Sequence, residues 1–361
     1  MILLGIGGAG CRIAQGVRDS FGAGLRFALL DTDASSAAGT DPETFFLLGG
    51  DRLSGRGAGG DIVNARLAAE DSAASLDESL EGVRMAVIAT SLGGGTGGGA
   101  TLEILRHLSK RGIETLVFAT TPFAFEGEQR HQNARGIMPM IEEEASASFF
   151  MPLDKLVGGS DNMKESLDNA VSTMASAATM FWRLVEKPGY IKTDPERLRH
   201  MIAESGKGRF AVASATGPDR ARNVADALLS NSLLADGTAP VRSILCGVLA
   251  GDDLRLSEIA EIADSLKTAF GGGSAFDLAT VNDEDVFGGG ISVVAMLFES
   301  SAGSAPSRGA APAASKAKRS RRSALAGALL KGRFKNAEPT IWNGENLDIP
   351  TYVRKNIDIG V

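Results

Sequence analysis

Two glycine-rich segments contain the residues of this 361-residue chain whose types and spacing are best suited to chemistry. They are Gly5–Gly10, with the sequence GIGGAG, and Gly93–Gly99, with the sequence GGGTGGG. Each follows a short apolar run typical of a buried strand, and each precedes a segment with helical periodicity. A strand, a glycine loop and a helix in this order direct backbone N–H groups and a helix N-terminus at one point, which suits phosphate. Two such units predict one polyphosphate held from both sides.

A third glycine cluster, Gly55–Gly60, precedes another helical segment. Loops of this kind converge at the carboxyl edge of an α/β sheet, so all three are expected to face one ligand. Thr96 adds a hydroxyl donor, Arg12 adds charge for the phosphates or the base, and Cys11 is interpreted as a small packing residue. The residues predicted to contact the ligand are Gly7, Gly8, Ala9, Gly10, Cys11, Arg12, Ala58, Gly59, Gly60, Gly94, Gly95, Thr96 and Gly97.

The first loop also fits a different class of site. The GxGxxG spacing of Gly5–Gly10, with Asp31 about 20 residues later, is the fingerprint of NAD-binding enzymes. That interpretation leaves the other two glycine clusters unexplained. It also lacks a catalytic histidine, because the three histidines all fall in helical segments: His107, His131 and His200. A P-loop is disfavoured because the sequence has no GxxxxGK[ST] pattern.

The elements that must position these loops alternate between strand and helix. This alternation predicts an α/β fold with a doubly wound parallel sheet and right-handed crossovers. The predicted strands are Ile2–Ile6, Phe27–Asp31, Met85–Thr90, Thr115–Thr121, Arg209–Ser214, Arg242–Leu249 and Ser292–Phe298. The predicted helices are Gly10–Phe21, Asp61–Leu80, Gly98–Lys110, Glu128–Ala147, Asp161–Glu186, Asp219–Ser230 and Leu256–Phe270. Asp161–Glu186 is the longest and lies between two β/α regions, which predicts a central helix followed by a second, smaller α/β domain.

Charge and composition narrow the class of protein. Residues 300–361 carry 11 Lys and Arg against 4 Asp and Glu, whereas residues 1–299 carry 26 against 40. An acidic body with a basic tail argues against a nucleic-acid-binding core. Two cysteines cannot form a disulfide framework, and no stretch has the roughly 20 apolar residues of a membrane span. With no signal peptide recognised at the start, these features favour a cytoplasmic protein.

The motifs resemble those of the tubulin/FtsZ family of filament-forming GTPases. Gly93–Gly99 is similar to the family signature GGGTG(S/T)G, and the other similarities follow in the family's order. They are Asp31–Ala34 with NTDA, Gly57–Gly59 with the third phosphate loop, Pro122–Gly127 and Arg130 with PFxFEGxxR, Pro152–Leu156 with PNDKL, and Leu347–Lys355 with the FtsZ tail peptide. The resemblance covers nearly the whole chain, and its tail favours the FtsZ branch.

The resemblance implies a GTPase fold in five parts. These are a nucleotide-binding domain at 1–158, a central helix at 159–189, a C-terminal activation domain at 190–299, a disordered basic linker at 300–340 and a partner-binding peptide at 341–361. The implied cofactors are GTP or GDP, with Mg²⁺ held mainly through the phosphates and no metal site built from protein ligands. Glu126 and Arg130 would contact the ribose and base end, and Val171 of the central helix would lie at the base.

The catalytic loop departs from the family pattern. The family loop NxDxxD enters the next subunit's nucleotide site, and here its residues fall on Lys192, Asp194 and Arg197. Asp194 is kept, and Glu196 is the nearest replacement for the missing second carboxylate. Polar contacts to guanine are also lost, since the family asparagines fall on Arg12 and Leu153. Two hypotheses remain open: a slow GTP hydrolase, and a nucleotide-binding filament or regulatory paralogue that does not hydrolyse.

The resemblance further implies head-to-tail self-assembly in cell division, at the division site in the cytoplasm. Leu347–Lys355 would bind a membrane tether or division regulators. The basic run Lys316–Arg322 would attract anionic membrane or bundle filaments, with a solvated linker as the alternative. No nucleic-acid partner is expected.

Overall fold

A ten-stranded sheet is the framework of the unit Met1–Ala302. The computed structural model describes residues 1–22, 24–156, 162–187, 189–203, 206–235, 239–271, 273–299, 341–342 and 345–346. The strands of the sheet are β1 Ile2–Ile6, β2 Phe27–Asp31, β3 Phe45–Leu47, β4 Met85–Ser91, β5 Glu114–Thr121, β6 Ala147–Pro152, β7 Gly206–Thr216, β8 Val241–Ala250, β9 Ala275–Asn282 and β10 Gly290–Glu299. Their spatial order is β3-β2-β1-β4-β5-β6-β7-β10-β8-β9.

Strand direction confirms the predicted α/β class and refines it. Every neighbouring pair from β3 through β7 is parallel, and β8 is parallel to β9. Only β10 runs antiparallel, to β7 on one side and to β8 on the other. The sheet is therefore mostly parallel, and it continues through the β6–β7 pair from the first β/α region into the second.

Helices cover both faces of the sheet, as buried parallel strands require. They are α1 Gly7–Phe21, α2 Gly50–Leu53, α3 Ile62–Ser72, α4 Gly95–Lys110, α5 Glu128–Glu144, α6 Met163–Glu186, α7 Pro195–Ala203, α8 Arg220–Leu229, α9 Ser232–Ala235, α10 Leu256–Phe270 and α11 Glu284–Phe287. One core cluster joins α1, α6 and α7 to one face, a second joins α3, α4 and α5 to the other, and a third joins α8 and α10 to β8 and β10.

Several elements differ from the sequence predictions: β3 was not predicted, and α1 begins at Gly7 and not at Gly10. The helix predicted over Asp61–Leu80 is α-helical only to Ser72 and continues as a 3₁₀ turn over Ala73–Leu76. α4 begins at Gly95, three residues earlier than predicted, inside the glycine segment. The predicted helix Glu128–Ala147 ends at Glu144 because the next residues form β6, which was not predicted. β9 was also not predicted.

Helices α1 and α6 pack side by side and run in the same direction. A Cβ added at Gly16 would lie 3.0 Å from the Cβ of Ala175, so the helices touch closely there. Further along both helices, the ring centroids of Phe21 and Trp182 lie 6.4 Å apart. Arg183 then donates a hydrogen bond to the carbonyl of Ser20 at 3.4 Å. The end of α6 therefore lies beside the end of α1.

The segment after α6 lies along the outer edge of β9. Gly189 N–H donates to the carbonyl of Thr280 at 2.6 Å, and Thr280 N–H donates to the carbonyl of Ile191 at 2.9 Å. Ile191 N–H also donates to the Thr280 hydroxyl at 3.0 Å. A Cβ at Gly189 would lie 2.2 Å from Asn282 Oδ1 and 3.0 Å from the backbone nitrogen of Asn282, so glycine favours this close approach. The loop that leads to Asp194 is thereby fixed to the edge strand.

The second unit, Gly303–Val361, contains two short described strands, β11 Ile341–Trp342 and β12 Glu345–Asn346, which pair antiparallel. The basic run Lys316–Arg322 and the tail peptide Leu347–Lys355 lie outside the described residues. Among the residues that are described, no helix has both the length and the apolar character needed to cross a membrane.

Candidate functional site

Buried threonines join the first two glycine loops. The Thr90 hydroxyl on β4 lies within hydrogen-bond distance of two carbonyl oxygens, at 3.1 Å from Ile6 and 3.0 Å from Gly97. Thr101 donates to Thr90 at 3.2 Å from the second turn of α4. Thr90 is fully buried, so these bonds are protected from water. The ends of β1 and β4 are thus held together as the prediction of converging loops requires.

The backbones of these two loops approach too closely for side chains. Gly7 has a φ of +77°, and a Cβ there would lie 3.1 Å from the backbone nitrogen of Gly97. A Cβ at Gly97 would lie 2.0 Å from the carbonyl oxygen of Ser91. The Thr96 hydroxyl forms a 2.7 Å hydrogen bond with the hydroxyl of Thr32, which follows β2. Glycine at both positions therefore places the starts of α1 and α4 side by side.

Neither of these helices is capped by a side chain. The residues at the N-cap positions, Ile6 before α1 and Gly94 before α4, accept no hydrogen bond through a side chain. The first backbone N–H groups of an α-helix have no partner within the helix, and the helix dipole makes this end positive. The two adjacent N-termini consequently form a site suited to an anion.

The third loop packs against the second. A Cβ at Gly95 would lie 2.8 Å from the carbonyl oxygen of Asp61 and 3.0 Å from the Cβ of Ala58. A Cβ at Gly99 would lie 2.1 Å from the carbonyl oxygen of Ile62. Asp61 caps α3 by accepting hydrogen bonds from the backbone of Val63 and Asn64. Glycine at position 95 therefore permits the close contact between the second and third loops. The sequence alone does not reveal this reason for the glycine.

Asn133 is a site residue that the sequence analysis missed. Its Nδ2 donates to the carbonyl oxygens of Gly60 and Gly93, each at 3.1 Å. It therefore ties the third loop to the second from the adjacent helix α5. A single polar side chain on an amphipathic helix carries no sequence signal for such a role, because only the fold brings α5 against both loops.

A cavity of about 820 Å³ opens beside these loops. Five of the predicted contacts line it: Gly59, Gly60, Gly94, Glu126 and Arg130. The other lining residues are Asp61, Ile62, Val63, Gly93, Gln129 and Asn133. The remaining predicted contacts lie outside this lining: Gly7, Gly8, Ala9, Gly10, Cys11, Arg12, Ala58, Gly95, Thr96, Gly97 and Val171. The cavity is thus bordered by the second and third loops and by α5.

The loop before α5 is held by its own side chains. Glu126 accepts from the backbone N–H of Phe123 at 3.0 Å and forms an ion pair with Arg130 in the first turn of α5. Asp154 accepts from the backbone N–H of Ala124 at 3.1 Å. The Glu126 side chain is 18% exposed and Arg130 is 57% exposed, so Arg130 keeps much of its surface open to a ligand. Glu126 and Arg130 were both predicted as site residues.

Cys11 is a packing residue within α1. Its thiol is buried and lies 3.5 Å from the carbonyl oxygen of Gly5. Burial, followed by the nearby negative charge of Asp31, raises the pKa of the Cys11 thiol to about 12. Burial likewise raises the pKa of Cys246 to about 12. Both thiols therefore stay protonated at neutral pH, and neither is a nucleophile.

We expect neither cysteine to react with iodoacetamide at pH 8 in the folded protein. The thiolate is the reactive species, and a pKa of about 12 leaves little of it. Mass spectrometry of the alkylated protein measures this, with the urea-unfolded chain as the control that should take up two labels. Rapid labelling of Cys11 in the folded state would contradict its assignment as a packing residue.

Arg12 and Val171 each lie four residues before the close contact between Gly16 of α1 and Ala175 of α6. Val171 is partly buried and packs against the core. Arg12 is exposed. The predicted contact of Val171 with a base stays a prediction.

The Asp194 loop lies at the other end of the unit. α6 has 24 residues and is about 36 Å long, and its end is beside the end of α1, away from Gly7. Asp194 precedes α7, and its carboxylate accepts a hydrogen bond from the Glu196 backbone N–H at 2.9 Å. Glu196 pairs with Arg199 at 3.1 Å. Both predicted catalytic carboxylates are exposed and neither can reach the glycine loops of its own subunit.

Arg197 contacts its own subunit. Its guanidinium donates to the carbonyl of Phe276 at 3.2 Å and lies 3.6 Å from a carboxylate oxygen of Asp277 on β9. Burial raises the pKa of Asp277, Arg197 opposes that rise, and the charge of Asp194 adds to it. Arg197 therefore braces the loop against β9 at the position where the family has a second carboxylate.

The parallel α/β sheet and the paired helix N-termini define a phosphate-binding protein of the nucleotide-binding class. Comparisons with known proteins identify the family. Residues 1–161 match the tubulin/FtsZ family, GTPase domain. The chain is 30% identical over 288 residues to the cell division protein FtsZ of Pseudomonas putida, covering 79% of this chain and 72% of that one. The chain belongs to the tubulin/FtsZ family.

Solved structures agree on the fold. An empty FtsZ dimer from M. jannaschii superposes with a TM-score of 0.77 at 23% identity, covering 82% of this chain and 87% of that one. A GTPγS-bound protofilament of CetZ2 from Haloferax volcanii gives a TM-score of 0.71 at 19% identity, covering 91% and 99%. The predicted resemblance and fold class are both confirmed.

Proposed function

We propose that the chain binds GTP and GDP at the three glycine loops and assembles head to tail into filaments of the cell division machinery. The observation that carries this proposal is the convergence of two uncapped helix N-termini, at Gly7 and Gly95, beside the third loop. Backbone N–H groups there would bind the phosphates, and Glu126 and Arg130 would bind the ribose and base end. The names of the relatives, a division protein and a protofilament, support the assembly part.

Hydrolysis would be completed between subunits. Asp194 is exposed and lies one long helix away from the glycine loops, so its carboxylate can meet a nucleotide only in another copy of the chain. A heterologous contact of this kind does not close on itself and generates a filament. Asp194 would orient the attacking water, with Glu196 nearby, since phosphoryl transfer depends mainly on positioning and control of charge.

Magnesium would bind through the nucleotide. Among the described residues, no group of three or more His, Cys, Asp or Glu side chains is arranged to hold a metal ion. Mg²⁺ would be held mainly by the phosphates and would neutralise the charge that develops on them. Residues 1–158 would act as the nucleotide-binding domain, 159–189 as the central helix and 190–299 as the activation domain that delivers Asp194.

A second candidate function is a filament that binds nucleotide without hydrolysing it. The structure favours this candidate at one point: Arg197 is committed to Phe276 and Asp277, and Glu196 is paired with Arg199. Asp194 is then the one carboxylate of the loop that has no ion pair among the described residues. The regulatory paralogue hypothesis makes the same expectation of binding without turnover.

Phosphate release measured against protein concentration tests the two candidates. For a hydrolase completed between subunits, release per subunit should be near zero below the critical concentration for assembly and should rise above it. Light scattering on the same samples records assembly. Polymerisation with GTP but without phosphate release would establish the non-hydrolysing filament, and absence of GTP binding would refute both candidates.

The partners proposed for the tail follow from sequence alone. Leu347–Lys355 would bind a membrane tether or a division regulator, and Lys316–Arg322 would contact anionic membrane or neighbouring filaments. These segments would place the filament at the division site of the cytoplasm. Self-association is the partner that the relatives support.

A further inference from the structure

One edge of the Arg197 guanidinium is held by its own subunit, and the other edge is open. Nη2 donates to the carbonyl oxygen of Phe276 at 3.2 Å, and Nε lies 3.6 Å from Oδ1 of Asp277. These two nitrogens form one side of the planar fork. Nη1 has no hydrogen bond or ion pair among the described residues, and 54% of the side-chain surface is exposed. The open edge therefore presents donors that the contact with β9 does not use.

Asp277 fixes the position of this guanidinium. The Asp277 side chain is only 14% exposed, and its Oδ2 is buried without a hydrogen-bond partner among the described residues. A buried carboxylate without a nearby cation is costly, so the protein is more stable with Arg197 beside it. Because one edge of Arg197 is already bound, the side chain loses less freedom when the other edge binds a ligand. Arg197 is thus preorganised for a second acceptor.

The open edge of Arg197 lies next to Asp194. The two residues are three positions apart at the start of α7, where the Leu198 N–H donates to the carbonyl oxygen of Asp194, so their side chains are neighbours on the helix. Burial is the main cause that raises the pKa of Asp277, and the charge of Asp194 adds to it, so Asp194 lies close to the same ion pair. Any group that Asp194 meets in another copy of the chain is therefore also within reach of Arg197.

We propose that Arg197 binds the terminal phosphate of the nucleotide held by the next subunit, through the edge that the contact with β9 leaves open. The proposal rests on the proposed function, which places Asp194 beside that phosphate. Asp194 alone would bring a negative charge against the phosphates, and an adjacent guanidinium offsets this repulsion. Its parallel donors also match two oxygens of one phosphate. Subunits that carry GTP should consequently bind one another more tightly than subunits that carry GDP.

Association of subunits, measured with each nucleotide, tests this contact. Sedimentation velocity of the full chain gives the association constant with GDP and with GMPCPP, a slowly hydrolysed GTP analogue, so turnover does not affect the result. The ratio of the GMPCPP constant to the GDP constant is the preference for triphosphate. Arg197→Ala should lower this preference by about 10-fold to 100-fold, the range for charge-assisted hydrogen bonds. Arg197→Lys should lose part of the preference, because lysine keeps the charge but not the fork.

Variants of Asp277 separate the open edge from the ion pair. Asp277→Asn removes the ion pair and retains Arg197, so it should keep most of the preference for triphosphate. Adding Arg197→Ala to Asp277→Asn leaves no buried carboxylate without a cation, and it should lower the preference by about 10-fold to 100-fold relative to Asp277→Asn alone. Thermal unfolding checks that both variants are folded. Arg135→Ala is the control for a lost positive charge, since Arg135 is 70% exposed in the middle of α5, and it should leave the preference unchanged.

Several outcomes would overturn the assignment. The same preference in Asp277→Asn and in the double variant would show that Arg197 serves the ion pair alone. Equal weakening with both nucleotides by Arg197→Ala would indicate a contact with protein, for which the cavity-lining carboxylate of Asp61 is available. Unchanged association of Arg197→Ala would exclude the contact and leave the proposed function intact. Failure of the unaltered chain to associate with either nucleotide would refute head-to-tail assembly itself, and this contact with it.

Discussion

Replacing Asp194 with asparagine should lower GTP turnover above the assembly concentration by about 100-fold or more, the usual loss when a positioned acid or base is removed. Asparagine keeps the oxygen that accepts the Glu196 backbone N–H, so the start of α7 stays capped. The substitution therefore removes the charge alone. Nucleotide binding by the isolated subunit should be unchanged, because the carboxylate acts on the nucleotide of a neighbour.

Three further variants make this result specific. Asp194→Ala should lose turnover equally and also destabilise the subunit by about 1 kcal/mol through the lost cap. Glu196→Gln should reduce turnover if Glu196 replaces the missing second carboxylate. Asp264→Asn is the control, since Asp264 is exposed on α10 and has no hydrogen bond or ion pair among the described residues. Unchanged phosphate release by assembled Asp194→Asn filaments would remove Asp194 from the mechanism.

Alanine at Gly94 should weaken GTP binding by about 10-fold to 100-fold without destabilising the ligand-free protein. A Cβ at Gly94 meets no atom of the described residues within 4 Å, and its backbone conformation of φ −82° and ψ 168° suits any residue. The added methyl group therefore occupies space on the ligand side alone. Displacing a charged phosphate from one backbone donor costs about 1.5–3 kcal/mol.

Gly95→Ser is the contrasting variant. Its Cβ would collide with the backbone of Asp61, so both GTP affinity and the thermal stability of the ligand-free subunit should fall. Isothermal titration and thermal unfolding of the two variants separate ligand contact from loop packing. Full GTP affinity in Gly94→Ala would mean that the ligand does not approach this loop, and the phosphate site would then have to be sought elsewhere.

The parts of the fold with strong local patterns could be predicted from the sequence. The bounds of β1, β2 and α10 match the predictions, since each is a clear apolar run or a regular amphipathic helix. β6 was not predicted, because Ala147–Pro152 follows α5 after only two residues and the predicted helix extended to Ala147, the first residue of the strand. β9 was missed because it is an edge strand in which only three of eight residues are buried, so its apolar pattern is weak.

The sequence predicts the glycines of the loops, but it does not predict the side chains that join those loops to one another. Glycine loops carry a sequence signal because only glycine permits the backbone approach seen at Gly7 and Gly97. Thr90 has a partner 84 positions away, Arg197 has one 79 positions away, and Asn133 contacts two loops at once. No local sequence pattern encodes such contacts. The early start of α4 at Gly95 likewise follows from packing on α3, since glycine itself disfavours helix.

The open edge of a β-sheet is an adhesive surface, because its unpaired N–H and C=O groups accept any extended strand. On β9 that edge is already occupied at Thr280, in the C-terminal half of the strand, by Gly189–Ile191 of the same chain. This coverage should hinder the pairing of β9 with strands of other molecules in a crowded solution. Such pairing should then compete less with contacts between the ends of subunits. The short segment that leads to Asp194 would therefore also reduce aggregation through β9. Its release from β9 should favour disordered aggregates over filaments.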